Sequence, residues 1–188
     1  RHKTSYYIGM HERSYLPFIS EHFDWVIERL EKAGENDRDV QLRYADNIKS
    51  YANVTKNFKG KMQGLRRLSL VEQRGAEEKE LQKFIEADAD RKAKYGEVLG
   101  GLKNIYATLE GSIRQELAAR LMMRNSDLAL LGAMADAIVK MDGEKKPRRN
   151  VLKTRMADIR ETIIPEVEKD ILTHWLAVAT ELPADKSI

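Results

Sequence analysis

The side chain in this sequence best placed for binding chemistry is an asparagine in the middle of a long helical stretch. Asn53 lies within DRDVQLRYADNIKSYANVTKNFKGKMQGLRRLSLVEQRGAEEKELQKFIEAD, residues 37–88. Successive residues on a helix turn by about 100°, which places Asn53 roughly 160–200° from Tyr51 and Thr55. It shares its face with Asp46, Lys49, Lys56 and Asn57. A carboxamide both donates and accepts hydrogen bonds, so it can hold either kind of polar group. Two readings fit this pattern: a solvated helix face, or a face against which another domain packs and uses the amide.

The other reactive residue types lack the company that catalysis needs. A serine nucleophile requires a strained turn, a histidine in reach and oxyanion donors. None of Ser5, Ser14, Ser20, Ser50, Ser69, Ser112, Ser126 or Ser187 stands in a G-x-S-x-G context. Ser112 falls inside an apolar-periodic helix, where its hydroxyl is expected to bond back to its own backbone. His11 opens HERSY, which lacks the second histidine that a zinc-binding helix places four residues later. His22 and His174 read as surface or boundary residues. Glu86, Asp88 and Asp90 alternate as EADAD, but without the glycine and distal glutamate of a calcium loop they read as an acidic helix junction. There is no glycine-rich phosphate loop. The sequence therefore predicts no catalytic residue, no metal site and no cofactor in this chain.

Composition narrows the class. Lys and Arg number 33 against 30 Asp and Glu, leaving a net charge of +3 spread along the chain. A nucleic-acid binder concentrates positive charge on one face. The one local excess, Lys145, Lys146, Arg148 and Arg149 beside Gly143 and Pro147, reads as a solvated loop, so no nucleic-acid partner is expected. With no cysteine there can be no disulfide or thiolate site. No apolar run reaches the roughly 18–20 residues that cross a bilayer, so no membrane partner is expected. The chain opens at Arg1 without an initiator Met or signal peptide, and is expected to be an excised piece of something longer.

The elements that must position Asn53 follow from periodicity. Charged residues at 34% and aromatics at 7% suit long amphipathic helices, and no segment alternates with period two. The fold class is all-α: one helical domain over 1–188, an elongated bundle of long antiparallel helices. Residues 1–13 read as a connector. A helix starts at Ser14 and Pro17, buries Phe18, Phe23, Ile27 and Leu30, and stops at Gly34 in a left-handed cap. Asp37 caps the next helix, whose stripe is Tyr44, Ile48, Tyr51, Thr55 and Phe58. Gly60 and Gly64 are expected to weaken or kink it. Met62, Leu65, Leu68 and Val71 then resume the pattern, and Leu81, Phe84 and Ile85 close it. A further series runs from Tyr95 to Leu121 with a break or close crossing around Gly96, Gly100 and Gly101. Ser126 caps a helix over 126–141, residues 142–149 form a loop, and a final helix runs from Asn150 to about Leu182, bent at Pro165.

Over residues 1–96 the order of short motifs resembles the bacterial dipeptidyl aminopeptidases of serine peptidase family 46. The matching features are the opening Arg1 to Tyr7, Asp37–Arg38, Arg43–Tyr44–Ala45, and Lys49 to Lys56 with the Ala52–Asn53 pair. Gly60, Gly64–Leu65, Leu68, Glu78–Lys79 and Phe84 to Asp88 follow in register. The resemblance implies a periplasmic or cell-surface enzyme that releases dipeptides from peptide N-termini and acts as a homodimer. In that family a chymotrypsin-type double β-barrel carries Ser, His and Asp, and an inserted helical domain caps the cleft. The resemblance implies that this chain belongs to the cap, inactive alone, with the catalytic barrel of the same polypeptide and the peptide N-terminus as partners. It also implies that Asn53 helps to bind the substrate's α-amino group. Triad, oxyanion hole and specificity pocket have no counterpart here. The alternative is a stand-alone helical adaptor whose apolar stripes pair with partner helices; a weaker third is a basic nucleic-acid-binding bundle.

Overall fold

The computed structural model describes residues 3–141 and 146–180, and every regular element among them is helical. The all-α expectation is met. The elements are α1 Ser5–Met10, a π-helical turn His11–Tyr15, α2 Leu16–Ala33, α3 Arg38–Arg67 and α4 Leu70–Glu86. They continue with α5 Ala89–Tyr95, α6 Val98–Asn125, α7 Asp127–Val139, α8 Lys146–Thr162 and α9 Pro165–Thr180. The chain forms two compact units, residues 1–25 with 47–114 and residues 26–46 with 115–188.

The first unit is built on the N-terminal segment, which is helical rather than the connector its mixed composition suggests. Thr4 caps α1 by accepting from the Tyr7 N–H at 3.2 Å. The carboxylate of Glu78 on α4 accepts from the Ser5 N–H at 2.7 Å and from the Ser5 hydroxyl. Ser5, Ile8, Gly9 and Met10 are buried. Six residues carry too little periodicity to be read as a helix; the anchoring carboxylate lies 73 positions away. No helix starts at Ser14, because the chain passes from α1 through the π turn into α2. Ser14 instead donates to Glu110 on α6 at 2.8 Å, beside the Arg13–Glu110 ion pair at 2.9 Å. Pro17 lacks an N–H, and its ring crowds the carbonyl four residues earlier, which accounts for the widened turn just before it.

The core of this unit includes Leu16, Phe18, Ile19, Phe23 and Tyr51, all buried, with the Phe23 and Tyr51 rings stacked at 4.8 Å. The expected stripe of α3 is present: Tyr51 and Thr55 are buried and Phe58 half-buried. Gly60 and Gly64 do not break α3, as both sit in its uninterrupted interior. The break falls at Ser69, held at φ 45° in the left-handed region, with the Gln73 amide donating to the Leu68 carbonyl at 2.7 Å. Farther along, of the three positions predicted to close the pattern Ile85 is buried, while Leu81 and Phe84 are exposed, as are Leu68 and Tyr95. The EADAD segment is a helix junction as read: Asp88 caps α5 by accepting from the Arg91 N–H at 2.8 Å. The later break comes at Gly96, while Gly100 and Gly101 lie within α6.

The second unit has its own core. Val26, Leu30, Tyr44, Leu117, Leu121, Met134, Ile138, Val167, Ile171 and Trp175 are buried, Trp175 at 1% exposure. Ser126 caps α7 as predicted, its hydroxyl accepting from the Ala129 N–H at 3.1 Å. The same hydroxyl donates to Glu168 at 2.9 Å, and Glu168 also accepts from the Leu128 N–H at 3.1 Å. A carboxylate thus sits against the N-terminal N–H groups of α7, where the helix dipole favours negative charge. Burial, with the negative charges of Glu168 and Asp127, pushes the Tyr44 hydroxyl up to about 12. Asp37 caps α3 as predicted, accepting from the Asp39 and Val40 N–H groups at 2.9 and 3.1 Å.

Three details of this unit differ from the sequence reading. Gly34 ends α2 without a positive φ; what requires glycine is space, since a Cβ there would lie 2.9 Å from the Gln41 backbone. Of the expected loop over 142–149, residues 142–145 lie outside the described residues, while 146–149 already form the first turn of α8 with Pro147 inside it. The last helix is two helices. Pro165 begins α9 after a gap at 163–164 rather than bending one rod, and the expected end near Leu182 lies outside the described residues.

Candidate functional site

Asn53 lies in the middle of α3, exposed, opposite the buried Tyr51–Thr55 stripe. Lys49, Lys56 and Asn57 beside it are exposed as well. The carboxamide forms no hydrogen bond to another described residue. Its place in the fold is therefore the one its spacing predicts: a polar group on a rigid helix with no structural task. Asn53, Lys56, Asn57, Gly60 and Lys61 line an open groove of about 540 Å³. Gly60 has nothing within 4 Å of where a Cβ would stand, so the backbone there is open to close approach.

Lys61 also borders a second concavity that sequence reasoning missed, a cleft of about 600 Å³ in the same unit. Its walls come from α1, the π turn, the start of α2, α3 and α4. Tyr7, His11 and Tyr15 follow one another along the N-terminal helix at spacings of four. The Tyr7–His11 and His11–Tyr15 ring centroids are 4.0 and 4.8 Å apart. Tyr15 lies 6.2 Å from Phe58, and Leu16, Leu65 and Leu70 complete the apolar lining. Lys3, Lys61 and Arg74 supply the charge, and no carboxylate lines the cleft. Lys3 donates to the Tyr7 hydroxyl at 2.9 Å, and Arg74 pairs with Glu77. The recurrence of Tyr7, His11 and Tyr15 every fourth residue was a legible signal, masked because the segment read as irregular.

His11 is held below its usual value, first by burial, with the ammonium groups of Lys3 and Lys61 adding to it against the hydrogen bond to the Tyr7 carbonyl. Its Nδ1 lies 3.1 Å from that carbonyl oxygen, which assigns the proton to Nδ1 in the neutral ring. The remaining reactive groups are occupied by structure. His22 Nδ1 bonds the Phe18 carbonyl at 2.7 Å and its ring stacks on Phe18 at 4.1 Å; His174 meets the edge of Trp175. Ser112 bonds back to the Leu109 carbonyl at 3.3 Å as predicted. Among the described residues no group of three or more acidic or histidine side chains is arranged to hold a metal, and no helix is long and apolar enough to cross a membrane.

The comparisons with known proteins agree with the motif order. The chain is 23% identical over 152 residues to dipeptidyl-peptidase 7 of Porphyromonas endodontalis. The aligned part covers 80% of this chain but 18% of that protein, so this chain spans under a fifth of its relative's length. The family model described as Peptidase S46 matches residues 1–188, well past the 1–96 over which individual motifs are recognisable. This chain belongs to the peptidase S46 family.

Proposed function

We propose that this chain is the helical substrate-binding cap of a serine exopeptidase that releases dipeptides from peptide N-termini, and that Asn53 receives the substrate's α-amino group. Support comes from family membership and from a relative whose name is dipeptidyl-peptidase 7. The observation that carries the residue-level part is an exposed, unengaged amide on a rigid helix. An exopeptidase must hold a charged ammonium at a fixed distance from its nucleophile and leave no room upstream. A neutral amide oxygen accepts from that ammonium, and hydrogen bonds to charged groups contribute about 1.5–3 kcal/mol. Backing it with the Tyr51–Phe58 stripe limits positional drift.

Lys56 and Lys61 on the groove are like-charged with the incoming ammonium. The negative charge that balances it is proposed to come from outside this groove, from the catalytic barrel of the same polypeptide. The full protein is proposed to be a periplasmic or cell-surface homodimer whose barrel supplies the Ser, His and Asp. The test is steady-state kinetics of Asn53→Ala in the full-length protein. We expect kcat/KM on dipeptide-releasing substrates to fall about 10–200-fold, the equivalent of the 1.5–3 kcal/mol above, with thermal stability retained. Full activity would remove the assignment of Asn53.

A further inference from the structure

Among the described residues, the aromatic cleft of the first unit combines an apolar wall with positive charge and no lining carboxylate. Its volume, about 600 Å³, is that of a small-molecule site. Tyr7, His11, Tyr15 and Phe58 present ring surface, and none of the lining residues is acidic. Arg74 is partly neutralised by Glu77. Lys3 and Lys61 form no ion pair with a described residue; each instead lies over an aromatic ring, Lys3 at 4.3 Å from Tyr7 and Lys61 at 5.3 Å from Phe58. Cations held above ring faces at the mouth of an apolar cleft are placed for a ligand that is apolar in its body and anionic at one end.

We infer that this cleft binds the carboxy-terminal residue of a short peptide, with its carboxylate between Lys3 and Lys61 and an apolar side chain against the rings. The inference deepens the proposed function and rests on it in one respect, the choice of a peptide as the carboxylate's carrier. Asn53 and Lys61 are eight positions apart on one unbroken helix, about 12 Å along its axis. An extended chain advances about 3.3 Å per residue, so three to four residues bridge that distance. A peptide held by its amino end at Asn53 would thus bring its carboxyl end to the cleft when it is about three or four residues long. His11 is held below its usual value first by burial, and the ammonium groups of Lys3 and Lys61 add to it. A cleft that reads the carboxylate would favour short peptides over long chains.

The experiment measures binding to the full-length protein of N-acetyl-alanyl-phenylalanine, its C-terminal amide, and 3-phenylpropanoate. The acetyl group removes the ammonium, so Asn53 plays no part. We expect the free acid to bind at least about ten-fold more tightly than the amide, and more tightly than 3-phenylpropanoate. The preference for acid over amide should vanish in the Lys3→Ala/Lys61→Ala double variant and persist in Asn53→Ala. Equal binding of acid and amide, or a preference that survives loss of both lysines, would overturn the site. Equal binding of 3-phenylpropanoate would overturn the peptide in favour of a small organic acid. Loss of acid binding in Asn53→Ala would show that the probe sits in the Asn53 groove and would overturn the cleft as its site. Failure of Asn53→Ala to change dipeptide release leaves all of these readouts standing, so the two proposals fail separately.

Discussion

The two units of this chain use the same kind of helix for different ends. In the second unit, Ser126 and Glu168 complete the N-terminus of α7, and Tyr44 stays protonated in a buried, negatively charged setting. In the first unit, polar and aromatic groups are left available. Asn53 faces out with its amide unengaged, Lys3 and Lys61 have no carboxylate, and the Tyr7–His11–Tyr15 series borders a cleft instead of filling a core. A folded domain does not need such an arrangement for its own stability. The contrast teaches where to look for function in an all-helical chain: not at the most buried polar groups, but at ordered polar groups that the fold does not use.

The contrast can be broken by experiment. The largest expected effect is on the second unit's core. Trp175→Ala removes a side chain at 1% exposure and should lower unfolding free energy by about 3–5 kcal/mol, read by denaturant titration. Its effect on kcat/KM, measured under conditions where the variant is folded, should be minor; a large specific loss there would give this unit a binding role. Next comes Asn53→Ala, where the same comparison demands the reverse: the 10–200-fold kinetic loss above with little change in stability. A parallel drop in both would mean that Asn53 is structural. Glu168→Ala leaves the Leu128 N–H and the Ser126 hydroxyl without their buried acceptor, and should cost about 1–3 kcal/mol of stability. Glu168→Ala that folds with wild-type stability would show that water replaces the carboxylate there.

Gly60→Ala gives a smaller and more diagnostic result. The position is helical and open, so alanine should raise the stability of the fold by about 0.5–1 kcal/mol. If substrate or the neighbouring domain approaches the backbone there, kcat/KM should fall at the same time; gains in both would show the groove floor to be unused. The smallest effect concerns pH. His11 has a depressed pKa in the fold, so the folded state prefers the neutral ring. The unfolded chain takes up its proton first as pH falls below about 6.5. Stability should therefore be full above that value and decline as pH drops through the lower, folded-state value. His11→Gln should flatten that part of the stability–pH curve, and an unchanged slope would assign the acid sensitivity elsewhere.

How much of this was legible before the fold was known differs residue by residue. The α3 stripe, the caps at Asp37 and Ser126, and the outward placement of Asn53 all follow from spacings of three and four, because side-chain direction on a helix is a local property. Helix ends were harder. Ser69 adopts a left-handed conformation that glycine usually supplies, while Gly60 and Gly64 nearby remain helical. Local propensity is worth only about 1 kcal/mol at such positions, so tertiary packing decides where the helix stops.

The sequence by itself settled that this chain is helical and which side of α3 Asn53 would occupy. Those properties depend on residue types and on periods shorter than two turns. Only the tertiary structure decided that residues 5–15 are helical and held by Glu78, that Glu168 closes the start of α7, and that Lys3 and Lys61 meet over one aromatic cleft. Each of these joins groups dozens of positions apart. The free energy that brings them together comes from burying the faces between them, and no local spacing encodes that.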